Sequence, residues 1–422
     1  MAKVLVIGSG GREHALAWKF QQSALVDIVY VAPGNDGMKD VATLVPIDVN
    51  DFENLATFAL ANSIDLTFVG PEIPLVNGIV DFFEARGLKV FGPRKNAAIL
   101  EGSKSFAKEL MTKYNIPTAC YETFSNFNEA ANFAKKCAYP LVIKADGLAA
   151  GKGVSIVVSY EEAYKELESM MVNELFANAS SSVVIEEFLT GEEFSLMAFV
   201  NNDKVYPLQI AQDHKRVYDN DLGPNTGGMG AYTPVTHLSD EIVNEALNMV
   251  MIPVAKAMIK ENRPYTGILY GGFMTTSSGV KTIEFNCRFG DPETEVILQA
   301  LNGDLYAITN SVLNHENPTY SFSDRTYLGV VMASKGYPNE YAKGDEISNV
   351  CKKAPTIFHM GTKEVENKCI INGGRVLFVT GEGANINEAY ESAYRVVKEI
   401  RSDSLFYRSD IGHLAIAEVE ND

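Results

Sequence analysis

Cysteine pairs at metal or redox spacing are missing. The five cysteines, Cys120, Cys137, Cys287, Cys351 and Cys369, include no C-x-x-C and no zinc pattern. This predicts free thiols in a reducing compartment, the cytoplasm. Positive charge is also scarce: 36 Lys+Arg against 54 Asp+Glu give a formal charge of −18, and no basic block stands out. A nucleic-acid partner is therefore not expected, although a locally basic pocket is. No apolar run reaches the ~18–20 residues needed to span a bilayer, so no membrane partner is expected. The start, "MAKVLVIGSGG", lacks the sections of a signal peptide and reads as a buried strand entering a glycine turn.

What is present points to a folded, multidomain chain. Hydrophobic residues make up 46% and charged residues 21%, an ordinary globular balance, and 422 residues exceed one core. Up to about Gly102, short β-rich runs ("KVLVIG", "DIVYVA", "DLTFVG", "LKVFG") alternate with helical ones from Arg12, near Phe52–Ala61 and near Val76–Arg86. That rhythm predicts a parallel sheet covered by helices, with ligand loops at the carboxyl ends of its strands. "LEGSKSFAKELMTKYNIPT" predicts one helix closely followed by Pro117. From Thr118 to Leu189 the pattern changes to a small α+β module: a helix near Asn128–Lys136, strands "PLVIKA", "VSIVVS" and "SVVIEEF", and a helix from Glu161. Further strands ("FSLMAFV", "VKTIEFN") and a helix Asp240–Glu261 follow. A last module begins near Thr326, with strands "YLGVVMAS" and "GGRVLFVTG" and a helix Ile386–Ile400 that Asn385 and Glu388 are placed to cap.

The N-terminal turn "VIGSGGREHA" is not a dinucleotide fingerprint. Glu13 stands where the third glycine belongs, and no acid closes the second strand to hold a ribose hydroxyl. Gly8, Gly10 and Gly11 leave two readings open, a phosphate site at a helix start or a tight turn without a ligand. In "VIKADGLAAGKGVSIVV", three residues rather than four separate Gly147 from Gly151, Gly153 follows Lys152, and a strand follows instead of a helix. P-loop chemistry is excluded. A glycine hairpin remains, able to fold over a triphosphate with Lys144 beside it, or else simply solvated. In "VVIEEFLTGEEFS", Glu186 and Glu187 close a strand whose end could meet a purine edge, and Glu193 could accept from ribose hydroxyls. A solvated acidic turn is the plainer alternative.

The strand "IEFNCRFGDPE" carries more information. Alternation puts Ile283, Phe285, Cys287 and Phe289 on a core face, and Glu284, Asn286 and Arg288 on the other. Glu284 and Asn286 offer hard oxygen ligands for Mg²⁺ that also holds phosphates, and Arg288 offers a fork for a carboxylate or phosphate. Metal ligands followed by an anion clamp suit an ATP-driven attack on a carboxylate. The segment "QDHKRVYDNDLGPNTGGMGAY" reads as a long aperiodic loop with a polar site at Asp213–Arg216, in which His214 is given no catalytic role.

Together, "IKADGLAAGKGV", "EEFLTGEE", "QDHKR…GPNTGGMGAY" and "IEFNCRFGDPETE" resemble the ATP-grasp ligases. Within them the chain is similar over its whole length to the phosphoribosylamine–glycine ligase family. The resemblance implies an α/β and α+β multidomain chain. Its parts are an N-terminal Rossmann-like domain (1–102), a central ATP-grasp domain (103–325) with an inserted lid (118–189), and a small C-terminal α+β domain (326–422). It implies that ATP phosphorylates glycine and that 5-phosphoribosylamine attacks the glycyl phosphate, with Mg²⁺ or Mn²⁺ as cofactor, in a monomer or small homo-oligomer. By motif position, Lys104, Lys144 and the lid loop with Gly147, Gly151, Lys152 and Gly153 would hold ATP phosphates. Glu186, Glu187, Phe188 and Leu189 would contact adenine, Glu193 the ribose, and Arg216 and Asn225 the phosphate side. Glu284 and Asn286 would hold the metal. Arg288 would grip glycine or the acyl phosphate, with Lys144 and Asp213 also catalytic. Gly10, Gly11, Asn35, Glu72, Asp213 and Lys215 would line the phosphoribosylamine pocket. Two other readings stay open here: a different ATP-grasp ligase or carboxylase, and a non-catalytic nucleotide-binding regulator.

Overall fold

The computed structural model describes residues 1–149, 153–173, 182–350 and 356–419. The N-terminal region is a five-stranded parallel sheet, in the order β3-β2-β1-β4-β5. Its strands are β1 (Ala2–Gly8), β2 (Val26–Pro33), β3 (Thr43–Leu44), β4 (Leu66–Val69) and β5 (Val90–Phe91). Val4, Leu5, Val6 and Ile7 of β1 are fully buried, as a strand covered on both faces requires. Helices α1 (Gly11–Gln21) and α2 (Phe52–Ala61) follow β1 and β3. The single helix expected near Val76–Arg86 is two, α3 (Glu72–Asn77) and α4 (Ile79–Glu84), because Gly78 turns left-handed at φ 96°. Since β1 lies between β2 and β4, the loops after β1 and β4 open side by side at the strand ends, where such sheets bind ligands.

The long helix expected around "LEGSKSFAKELM" also divides, into α5 (Lys95–Gly102) and α6 (Lys104–Lys113). Ser103 between them is extended and its side chain caps the Phe106 N–H. The inserted module follows: β6 (Tyr121–Phe124), α7 (Phe127–Ala134), β7 (Leu141–Ala145), β8 (Val154–Val157), α8 (Tyr160–Met171) and β9 (Val183–Glu187). Its antiparallel sheet runs β6-β9-β7-β8 and has a core of its own, including Ala130, Ile143, Ala163, Leu167, Met170 and Ile185.

The central region holds an antiparallel sheet of β10 (Glu192–Asn201) and β11 (Lys204–Pro207), with more strands after a set of hairpins. Those hairpins replace the expected loop: β12 (Gln212–Asp213), β13 (Arg216–Tyr218), β14 (Leu222–Asn225) and β15 (Gly230–Thr233). Strands of two to four residues are too short to show an alternation, which is why the segment reads as aperiodic. Next comes one continuous helical stretch of α9 (Asp240–Ala246), a π turn at Leu247–Met251 and α10 (Ile252–Lys260). By length and composition Asp240–Lys260 could cross a membrane, with a mean hydropathy of 1.4. Here, however, Val250, Met251, Val254 and Met258 pack into the protein core. Strands β16 (Thr266–Thr276) and β17 (Gly279–Asn286) complete the sheet, in the order β11-β10-β16-β17, and α11 (Glu293–Ala300) follows the Gly-Asp-Pro turn.

The last module is built on strands Thr326–Ser334, Arg375–Gly383 and Ile357–His359, and β15 and β12 extend the same sheet. Strands from both sides of Thr326 therefore share one sheet. Helix Ile386–Val397 covers it, capped as expected: Asn385 accepts the Glu388 N–H at 3.0 Å, and Glu388 accepts the Ala384 N–H at 2.8 Å.

Candidate active site

The β17 strand carries the first half of the site. Phe285, Cys287 and Phe289 are buried at 3% exposure or less, while Glu284, Asn286 and Arg288 alternate on the half-open side. Ile283 departs from the expected core face. The register with β16 slips between Thr282, opposite Phe273, and Glu284, opposite Gly272, so Ile283 is an extra, half-buried bulge residue. The bulge turns the carbonyls of Thr282 and Ile283 toward the inserted module. Thr118 Oγ1 donates to the first at 2.8 Å and Lys144 Nζ to the second at 3.0 Å.

Three lysines from three different elements surround Glu284. Burial alone would raise its carboxyl pKa; Lys215, Lys144 and Lys104, with Arg288 behind them, outweigh that and hold it below the usual range. Lys104, at the start of α6, is pushed down by burial and by Lys144, with Glu284 opposing. Lys215 is raised well above its usual value despite burial, because Glu193 (3.1 Å) and Asp213 face it. Asp213 is pushed up to about 8, chiefly by burial; Lys215 opposes the rise, and Glu293, Glu193 and Glu284 add to it. Glu284 thus sits ionised among the three lysines, two of which also pair with other carboxylates, Lys215 with Glu193 and Lys144 with Glu186.

Arg288 stands at the far end of the strand. Its Nη2 lies 3.2 Å from Glu101 Oε1 and 3.3 Å from Asn286 Oδ1, and its Nε lies 3.5 Å from Glu72 Oε2. Nε is buried and has no hydrogen-bond partner among the described residues. As a metal site, Glu284 and Asn286 offer one carboxylate and one amide oxygen. Among the described residues no group of three or more His, Cys, Asp or Glu side chains could hold an ion. That donor set fits Mg²⁺ or Mn²⁺ only if phosphate oxygens and water supply most of the ligands, as is usual for Mg²⁺ in nucleotide sites.

Three family models cover the chain: the phosphoribosylglycinamide synthetase N domain over residues 2–101, its ATP-grasp (A) domain over 102–294 and its C domain over 327–414. The chain belongs to the phosphoribosylglycinamide synthetase family. It is 53% identical over 417 residues to a phosphoribosylamine–glycine ligase of Halalkalibacterium halodurans, covering 98% of this chain and 97% of that one. A Listeria innocua protein of the same name is 50% identical, covering 97% and 99%. Among solved structures, the Thermotoga maritima phosphoribosylamine–glycine ligase superposes with a TM-score of 0.86 at 35% identity, over 97% of this chain and all of that one. A Campylobacter jejuni biotin carboxylase bound to an ATP analogue gives 0.74 at 14% identity, over 100% of this chain and 96% of that one, a likeness of fold alone.

In this member of the synthetase family, four of the residues expected to bind nucleotide, Lys104, Lys144, Glu186 and Glu187, lie along the seam between the inserted module and β17. Lys144 Nζ lies 3.0 Å from Glu186 Oε1. The Glu186 carboxylate is buried between Lys144 and Lys108, so any part it has at a purine edge falls to its backbone. Glu187 accepts from Cys120 N at 3.0 Å and Lys281 Nζ at 2.9 Å, while Phe188 is exposed and Leu189 half-buried. Lys104 Nζ is 3.5 Å from Gly147 O, and Gly153 O accepts the Ala145 N–H. Gly151 and Lys152 lie outside the described residues. Arg216 and Asn225 face each other across the β13–β14 hairpin, where Arg216 donates to Gly223 O at 2.7 Å. Among the described residues neither bonds to the lysine cluster.

The residues expected around the amine substrate are spread over several loops. Gly10 caps α1, but its N–H already goes to Glu13 Oε2 at 2.7 Å, and Gly11 abuts the buried Glu295. Asn35 spends its amide on Ser9 O, His359 O and the Gly37 N–H, so it braces the surrounding loops. Glu72, Asp213 and Lys215 do converge on the Arg288–Glu284 strand face. His214, given no role, is buried and accepts the Gly412 N–H at 3.0 Å.

Residue patterns do not single out three participants. Glu101 pairs with Arg288 and accepts the Cys287 N–H at 2.7 Å. Lys108 holds Glu186 at 2.8 Å. Arg375 pairs with Asp291 at 3.0 Å and donates to Gly227 O at 2.6 Å. The only local hints are that Glu101 belongs to the quoted "LEGSK" and that Lys108 stands one helical turn after Lys104.

Proposed function

We propose that the chain joins glycine to 5-phosphoribosylamine at the expense of ATP, giving glycinamide ribonucleotide, ADP and phosphate. The observation that carries this reading is the ring of Lys104, Lys144 and Lys215 around Glu284, beside the partly unsatisfied guanidinium of Arg288. The names of relatives near 50% identity over the full length support the same substrates. A carboxylase has only the shared fold in its favour, at 14–16% identity.

Glycine's carboxylate has no leaving group of its own, so one must be attached. One carboxylate oxygen attacks the γ-phosphorus of ATP, the bond to the β–γ bridging oxygen breaks, and ADP leaves. The amine nitrogen then attacks the acyl carbon, phosphate departs with the original glycine oxygen, and the nitrogen loses a proton. Two anions must meet in the first step. Lys104, Lys144 and Lys215 would offset their repulsion, and a divalent ion held by Glu284 and Asn286 would add further charge neutralisation on the phosphates. Arg288, with Nε free of a hydrogen bond, would receive the glycine carboxylate or the acyl phosphate. Closing the inserted module (118–189) over the site would keep water from the acyl phosphate. The division 1–102, 103–325 and 326–422 belongs to the same proposal, as does cytoplasmic residence.

The test is ADP release by the purified chain with Mg²⁺. Release should require both glycine and freshly prepared phosphoribosylamine, and mass spectrometry should identify glycinamide ribonucleotide. Release that ignores glycine but needs bicarbonate would overturn the reading.

A further inference from the structure

Lys108 has no part in the steps above, yet it is 2% exposed and lies in a closed ring of short contacts. Its Nζ is 2.8 Å from Glu186 Oε2 and donates to Thr118 Oγ1 at 2.8 Å. Thr118 Oγ1 donates to Thr282 O at 2.8 Å. On the other side, Glu186 Oε1 is 3.0 Å from Lys144 Nζ, which donates to Ile283 O at 3.0 Å. The ring ties α6, β7 and β9 of the inserted module, and the β17 bulge immediately before Glu284. One carboxylate thus serves two buried lysines.

We propose that Lys108 is a positioning residue: by sharing Glu186 it leaves Lys144 with uncompensated charge for the nucleotide. Without Lys108, Glu186 would be left to Lys144 alone, and the pair would turn inward as a neutral unit. Nucleotide affinity would fall although no ligand contact had been removed. This inference rests on the ATP-dependent ligase reading of the site.

A merely structural Lys108 makes a different prediction, because losing it would weaken the fold without favouring one substrate over another. The experiment uses the full chain and titrates MgADP calorimetrically, with KM measured for ATP and for glycine. Lys108→Met should raise the MgADP Kd and the ATP KM about tenfold, with the glycine KM within about twofold and kcat within about threefold. Adding Glu186→Gln should return the Kd to within about threefold of wild type, since Lys144 regains its charge. Should Lys108→Met fail to fold, Lys108→Arg tests the same point. It keeps the charge and should bind MgADP within about threefold of wild type.

An unchanged MgADP Kd in folded Lys108→Met would overturn the proposal. So would a parallel rise in both KM values, a double variant no better than the single, or a Lys108→Arg protein that has lost MgADP tenfold. MgADP binding does not depend on the identity of the acceptor substrates. Failure of the ligase reading, seen as ADP release indifferent to glycine, is therefore distinguishable from failure of the Lys108 role.

Discussion

Arg288 and Glu101 are held 3.2 Å apart at the edge of the site, and Glu101 is anchored in turn by the Cys287 N–H. The guanidinium is thus oriented before any substrate arrives. Burial would lower its pKa, but Glu101 and then Glu72 raise it above the ordinary arginine value, so its charge is permanent. Arg288→Lys keeps the charge and loses the planar fork. Its kcat/KM for glycine should fall about 100-fold, with the MgADP Kd little changed. Steady-state kinetics at varied glycine check this, and near-wild-type values would remove Arg288 from the acyl site.

Glu284 sits among Lys215, Lys144 and Lys104 without neutralising all three. Glu284→Ala should abolish turnover, by about 1,000-fold or more, because the pocket would lose the carboxylate proposed to hold the metal and its charge balance. Circular dichroism should show the fold intact. Activity near wild type at low magnesium would contradict the metal assignment.

Gly191 lies in the connection between the inserted module and β10, at φ 154°, and a Cβ there would fall 1.7 Å from Thr275 O. That oxygen belongs to the paired β16 backbone and cannot move aside. Gly191→Ala should therefore cost more than about 3 kcal/mol of stability. Gly87 also has a positive φ, 72°, but a Cβ there meets nothing within 4 Å. Gly87→Ala should cost only about 1 kcal/mol. Denaturant titration of the two variants checks the contrast.

His214 is buried as a neutral ring, its pKa depressed to about 3 mainly by burial and then by Arg408 and His413. The unfolded chain binds a proton near the ordinary histidine value of 6.5, the folded chain only near 3. Stability from this group is therefore complete above pH 6.5 and is lost as pH falls toward 3, by about 1.4 kcal/mol per pH unit. Between pH 7 and pH 5, His214→Gln should lose about 2 kcal/mol less than wild type in urea titrations. His14, depressed in the same direction by burial, is common to both proteins and cancels in the comparison.

Local pattern carried the β17 strand face and the N-terminal sheet, because alternation and helix rhythm act over a few residues. Glu284, Asn286 and Arg288 share a face as their spacing predicts, and β1 is buried as "KVLVIG" predicts. What stayed hidden depends on partners distant in sequence. The bulge at Ile283 follows from pairing with Gly272 and Phe273. Lys108 matters through Glu186, and Arg375 through Asp291. Strand β16, with Gly271 and Gly272 interrupting its alternation, is not announced by its own residues. The breaks at Gly78 and Ser103 were single-residue events inside otherwise helical patterns.

The most direct test of the chemistry follows one oxygen atom. With glycine labelled with ¹⁸O in both carboxylate positions, turnover with ATP and phosphoribosylamine should release inorganic phosphate carrying one ¹⁸O, and the amide product should retain the other. Unlabelled phosphate, formed at the same rate as the product, would contradict an acyl phosphate made at the Glu284–Arg288 face.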